Sequence, residues 1–147
     1  MAFLIGPMQK HLDGHKELTA HNDIIDLTNV EKVYIPLMHG NATVKCLVNV
    51  GDEVKIGDRI GVRDDHFYVP FFASVSGKVV GIEKRMSSSL RPVDHVVIQN
   101  DHLNTKATLP TLSEDSSREE IIDFMKEKGL VGCGGAGFPT YIKYQTD

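Results

Sequence analysis

At 147 residues, 41% hydrophobic and 24% charged, the chain fits one ordinary domain, or one small domain and a piece of another. A net charge of −4 and an isoelectric point near 5.9 leave no basic stripe for nucleic acid. No apolar run approaches the roughly 20 residues of a membrane-spanning helix.

The N-terminus, Met1-Ala-Phe-Leu-Ile-Gly-Pro7, is briefly apolar but has neither the basic start nor the long core of a signal peptide. A cytoplasmic chain is expected, peripheral to a membrane only through partner subunits. Residues 1–31 are polar and hold His11, His15 and His21. His11 and His15 are spaced to share a helix face, but Gly14 lies between them and capping is weak. A solvated arm is expected here, and no metal site.

Residues 32–105 read as β. Short apolar stretches fall at Val33–Leu37, Val44–Val48, Asp58–Val62, Phe67–Val69, Lys78–Ile82 and His95–Ile98, punctuated by turn signals. Their spacing suggests a sandwich or small barrel rather than βαβ units. The sharpest pattern is Val50-Gly-Asp-Glu-Val-Lys-Ile-Gly-Asp-Arg-Ile60. Gly51-Asp52 and Gly57-Asp58 should each make a tight turn, with Val54 and Ile56 pointing inward. Cys46 alternates with Val44 and Val48 and reads as core. A second half follows, Ala73-Ser-Val-Ser-Gly-Lys-Val-Val-Gly-Ile82. The arrangement resembles the biotinyl/lipoyl-type barrel-sandwich hybrid. Carrier domains of that type modify a lysine at the hairpin between their halves. Here that hairpin falls near Val62–Val69 and holds no lysine, so a barrel without a prosthetic group is expected.

Residues 106–147 are predicted to be a connector, a helix and a glycine-rich loop. Ser117-Arg-Glu-Glu120 fits a capping box. Ile121, Ile122, Met125 and Leu130 follow at roughly helical spacing, Ile121 and Met125 facing the core, and Gly129 ends the helix. Five glycines then fall between Gly129 and Gly137, and Phe138-Pro139-Thr140 closes the run. Nearly free of Cβ atoms, such a loop lets a ligand approach the backbone, and its N–H groups can form a concavity for anions. With so little side-chain mass, residues 131–147 are expected to be loose unless a neighbour or cofactor covers them. No Gly-Lys-Ser/Thr follows, so this is no GxxxxGK[ST] loop. Tyr141 should begin another helix.

In order, these pieces resemble the N-terminal third of the RnfC family. Ile35-Pro-Leu37, the turn from Val50 to Gly57, the strand from Ala73 to Glu83, and Gly129-Leu-Val-Gly-Cys-Gly-Gly-Ala-Gly-Phe-Pro-Thr140 match its pattern. The resemblance spans residues 32–147. It implies an electron-transfer protein related to the NADH- and FMN-binding subunit of complex I, working with other subunits of an electron-transfer complex or reductase. It also implies a barrel-sandwich hybrid followed by the start of a glycine-rich α/β nucleotide-binding domain. Carried over, Gly132, Gly134, Gly135, Ala136, Gly137, Phe138 and Thr140 match the flavin loop, and Lys143 matches a lysine near the FMN phosphate. The two [4Fe–4S] clusters of the family sit in a later cysteine-rich region. The two cysteines here, Cys46 and Cys133, fall short of the four thiolates one cluster takes. The resemblance thus implies a longer parent. Cys133 stands where many members carry leucine. It permits a redox role or a small apolar filler, and is similar to RnfC-like proteins of clostridial proline reductase systems. A non-catalytic docking barrel is the alternative.

Overall fold

The computed structural model describes residues 14–27, 29–87, 90–133 and 136–146. His11 lies outside the described residues. Residues 14–27 are exposed throughout, His15 and His21 included, with a single 3-10 turn at Lys16–Leu18. No helix among the described residues is long and apolar enough to cross a membrane.

The strands follow in chain order as β1 (Lys32–Pro36), β2 (Met38–His39), β3 (Ala42–Thr43), β4 (Lys45–Cys46), β5 (Glu53–Val54), β6 (Arg59–Asp64), β7 (Tyr68–Phe72), β8 (Gly77–Met86) and β9 (Pro92–Asn100). Helices α1 (Arg118–Glu127) and α2 (Thr140–Gln145) come after them. One sheet has the order β1-β9-β8-β5, a second β4-β6-β7, and β2-β3 forms a small ribbon. All named strand pairs are antiparallel. The core between the sheets is built from Leu37, Val44, Val54, Ile60, Ala73, Val79, Val96 and Ile98, with Cys46 and Val48 packed against it. The β-branched majority suits a pleated, half-buried surface. This is the mainly β barrel-sandwich hybrid that the strand spacing suggested.

The two Gly-Asp turns are copies of one device. Gly51 has φ +105° and Gly57 φ +92°, in the region that favours glycine. The Asn49 N–H donates to Asp52 Oδ2 at 2.8 Å, and the Lys55 N–H to Asp58 Oδ2 at 2.7 Å. Each turn then reaches into the second half of the barrel. Gly51 N–H donates to the Val79 carbonyl and Val79 N–H to the Asp52 carbonyl, both at 2.8 Å. Gly57 N–H donates to the Ala73 carbonyl and Ala73 N–H to the Asp58 carbonyl, both at 2.9 Å. Val54, between the turns, is buried as its alternation requires. Ile56 is half-buried and hydrogen-bonds to Thr105 and Ala107 of the connector.

The stretch Val44–Val48 differs from the continuous strand its composition suggests. Gly40, at φ +60°, folds Met38–His39 back on Ala42–Thr43, and only Lys45–Cys46 joins β6. The ribbon is two residue pairs long, too short to leave a period in the sequence.

Two glycines of β8 differ sharply in what surrounds them. Gly77 has φ +147°, and a Cβ there would collide with the Gln99 carbonyl oxygen. Gly81 has open space around it and no such backbone constraint. Gly77→Ala is expected to cost about 3 kcal/mol in chemical denaturation, from strain and overpacking. Gly81→Ala should be neutral or stabilise by up to about 1 kcal/mol. Equal effects at both positions would contradict the register of β8 on β9.

Candidate functional site

Helix α1 is fixed at both ends by its sequence. The Ser117 hydroxyl accepts from the Glu120 N–H at 3.3 Å, and Glu120 Oε2 accepts from the Ser117 N–H at 2.8 Å. That reciprocal bond holds the Glu120 carboxyl below the usual carboxylate range. At the other end Gly129, with φ +63°, forms a Schellman motif: Gly129 N–H donates to Lys126 and Leu130 N–H to Met125, both at 3.1 Å. Ile122 carries the buried face, while Ile121 and Met125 are half-buried. A Cβ at Gly129 would lie 2.8 Å from the Pro70 carbonyl, so the helix end presses directly on β7.

The glycine-rich loop leaves from that contact and returns to it. Val131 and Pro139 form an antiparallel bridge. Gly132 N–H donates to the Phe138 carbonyl and Thr140 N–H to the Leu130 carbonyl, both at 2.9 Å. Pro139 is fully buried, and Tyr141 is 7% exposed. The Tyr141 hydroxyl accepts from the Tyr68 N–H at 3.1 Å. Arg118 of α1 donates to the carbonyls of Tyr144 and Thr146, at 2.9 Å each, and so closes α2 on α1. The segment is expected to be loose unless a neighbour or cofactor covers it, and among the described residues a neighbour does. Pro139 and Tyr141 supply the buried mass, and the barrel's own β6–β7 hairpin meets the segment at Tyr141 and Phe138.

That hairpin meets the loop through a chain of polar contacts. Arg63 grips Asp65 bidentately, Nε to Oδ1 at 2.6 Å and Nη2 to Oδ2 at 3.1 Å. The Arg63 hydrogen bond is the main cause holding the Asp65 carboxyl down to about 2. The guanidinium lies 4.9 Å over the Phe67 ring, and Phe67 meets Phe138 edge-on at 5.5 Å. Arg63 Nη1 is 3.0 Å from His39 Nδ1, and His39 Nε2 is 2.9 Å from the Gly137 carbonyl. Nearby, Arg59 pairs with Glu127 of α1 at 2.6 Å and donates to the Tyr68 hydroxyl at 2.7 Å. Burial raises the Tyr68 phenol above its ordinary value.

The residues singled out from the sequence are placed as follows. Gly132 is half-buried, and a Cβ there would meet only the Phe138 carbonyl, at 3.8 Å. Cys133 is exposed, its thiol donating to the Val131 carbonyl at 3.8 Å. Gly134 and Gly135 lie outside the described residues. Ala136 is exposed and Gly137 half-buried at φ +64°. Phe138 is 38% exposed. Thr140 is half-buried and opens α2. Lys143 is exposed, with its ammonium 5.9 Å over the Phe138 ring and no carboxylate partner among the described residues. Ala136 and Gly137 also border an open cleft of about 700 Å³ between the loop and the barrel, with His39, Phe71, Met86 and His95 on its other walls. A flavin phosphate needs backbone room, N–H donors and a cation. On one side Gly132 offers backbone room, although its N–H is taken by the Phe138 carbonyl, and Lys143 offers the cation. Gly137 fits it poorly, because His39 already occupies the space beside it. His39, Arg63, Asp65 and Tyr141 escape sequence reasoning, since each works through a partner distant in the chain or, like Arg63 and Asp65, reads as an ordinary surface charge.

A flattened barrel that carries a glycine-rich loop on its β6–β7 hairpin defines the class: a barrel-sandwich hybrid. The RnfC barrel sandwich hybrid domain matches residues 9–103, and the chain belongs to that family. Over 141 residues it is 36% identical to a subunit of the Na(+)-translocating ferredoxin:NAD(+) oxidoreductase complex of Acetobacterium woodii, covering 90% of this chain and 31% of that protein. It is 34% identical over 137 residues to a subunit of the proton-translocating ferredoxin:NAD(+) oxidoreductase complex of Clostridium ljungdahlii, covering 90% of this chain and 30% of that protein. Against a subunit of the ion-translocating oxidoreductase complex of Citrobacter koseri it is 32% identical over 116 residues, 76% of this chain and 16% of that one. The chain spans less than a third of the length of each of these relatives.

The Asp65 pairing has a definite pH signature. A carboxyl lowered from 3.8 to about 2 adds stability that is complete above its ordinary value and disappears as pH falls through about 2. Asp65→Asn should therefore melt below the parent chain from about pH 5 upward, and the two should converge by about pH 2. A difference that persists undiminished at pH 2 would show that Asp65 acts through packing rather than charge.

Proposed function

We propose that this chain is the N-terminal part of an RnfC-like electron-transfer protein. In a protein of the relatives' length it would help move electrons between NADH, FMN and iron–sulfur clusters. FMN, when bound, accepts a hydride and passes electrons on singly, which links a two-electron carrier to one-electron clusters. The residues here that would hold it are Gly132, Gly134, Gly135, Ala136, Phe138, Thr140 and Lys143. The backbone of the loop would face the phosphate, and Lys143 would offset its charge. The observation that carries this reading is the glycine-rich loop itself: its ends are bonded to each other and held to the barrel at Gly137 and Phe138, while Lys143, beside it, keeps an exposed ammonium. The iron–sulfur ligands would come from sequence beyond this chain. The relatives are each a subunit of an oxidoreductase complex, which supports partner subunits; a cytoplasmic place, peripheral to a membrane through those partners, goes with this proposal. Kinship with the proline reductase systems is the finer proposal, and Cys133, exposed in the loop, is what favours it.

A second reading is a non-catalytic docking barrel. Ile24, Ile25 and Leu27 of the N-terminal arm are almost wholly exposed, which favours a partner for that segment.

Flavin titration separates the two. In a protein of the relatives' length, Gly135→Val should abolish FMN binding without changing the melting of the barrel. Lys143→Ala should weaken it by about 1.5–3 kcal/mol, the range for a hydrogen bond to a charged group. Residues 1–147 alone should bind FMN weakly, since they supply one wall. Normal flavin content in the Gly135→Val protein would leave the docking reading in its place.

A further inference from the structure

The contact between His39 and Gly137 joins positions 98 residues apart, the barrel at one end and the glycine-rich loop at the other. The chemistry of its neighbours fixes its direction. A guanidinium has donors and no acceptor, so Arg63 Nη1 must donate to His39 Nδ1. Nε2 then carries the ring proton and donates to the Gly137 carbonyl. Arg63 is itself held, its side chain 12% exposed, with Nε and Nη2 donating to Asp65 and Nη1 also to the His39 carbonyl at 3.4 Å. The imidazole thus has one tautomer and one orientation. Gly137 completes the fit: its φ of +64° favours glycine, and a Cβ there would lie 2.9 Å from His39 Nε2.

We propose that His39 is a positioning residue for the glycine-rich loop. Arg63 sets its tautomer, His39 holds the Gly137 carbonyl, and the loop rim is thereby presented in one arrangement to a phosphate-bearing cofactor. This rests on the reading of the loop as a flavin cradle. It assigns Gly137 a different task from its neighbours: the missing side chain there makes room for His39 and not for the ligand.

The clamp is tested without any cofactor in the 147-residue chain. Nitrogen NMR of the His39 ring should report the Nε2–H tautomer, and Arg63→Met should release it. Amide exchange at Gly132, whose N–H is bonded to the Phe138 carbonyl, should speed up about fivefold in His39→Ala. His39→Gln, which can donate from near the Nε2 position, should restore most of the protection. Unchanged exchange in His39→Ala, or no restoration by Gln in a variant that melts as the parent does, would overturn the clamp. In a protein of the relatives' length, His39→Ala should weaken FMN about fivefold and His39→Gln should recover it. FMN affinity indifferent to His39→Ala but abolished by Gly135→Val would refute the positioning role and leave the cradle standing. Indifference to both would remove the cradle and the positioning role together.

Discussion

Two turns, each a Gly-Asp pair, hold the halves of this barrel together, and the remaining structure is arranged around them. Each turn contributes one donor and one acceptor to the second half, at Val79 and at Ala73. The glycine makes the positive φ possible, and the aspartate closes the turn on the backbone three residues earlier. Because both turns come from one eleven-residue stretch, the second half is caught at two points by a short, well-defined segment. β8 can then run beside β9, and β6 with β7 can form the hairpin that α1 and the glycine-rich loop meet.

That hairpin is where the fold departs from carrier domains that resemble it. A carrier shows a lysine there, free to swing. This chain has Arg63, Asp65, Phe67 and Tyr68, and each is engaged: Asp65 by Arg63, Phe67 by Phe138, Tyr68 by Tyr141 and Arg59. The feature that presents a prosthetic group in one setting receives the chain's own helices and loop in this one. The barrel therefore acts as a seat for the loop.

The barrel is legible in the sequence because its signals are local. Gly51-Asp52 and Gly57-Asp58 announce turns, alternation marks Val54 as inward, and Ser117 with Glu120 announces a helix start that forms as a capping box. The β2–β3 ribbon is not legible, because two residue pairs leave no period. The docking of residues 131–146 is hidden for another reason. His39 looks like a turn histidine, and Tyr141 like an ordinary helical aromatic, until the fold sets one against Gly137 and the other against Tyr68. A glycine count shows that backbone is exposed to close approach; it does not say whether a ligand or a histidine makes that approach.

The connector gives these long-range contacts their strength. Ala107 is hydrogen-bonded to Ile56, and Leu109 lies against Gly57, so eight residues, 110–117, separate the last of these contacts from the start of α1. A tether that short keeps the helices near the hairpin at an effective concentration in the millimolar range. Under that condition the buried Ile122, Pro139 and Tyr141 hold the helices in place, and an exposed pair such as Arg59–Glu127 adds little of its own. A change that weakens these contacts acts on the docked helices and loop, while the barrel, closed by its own turns, keeps its own hydrogen bonds.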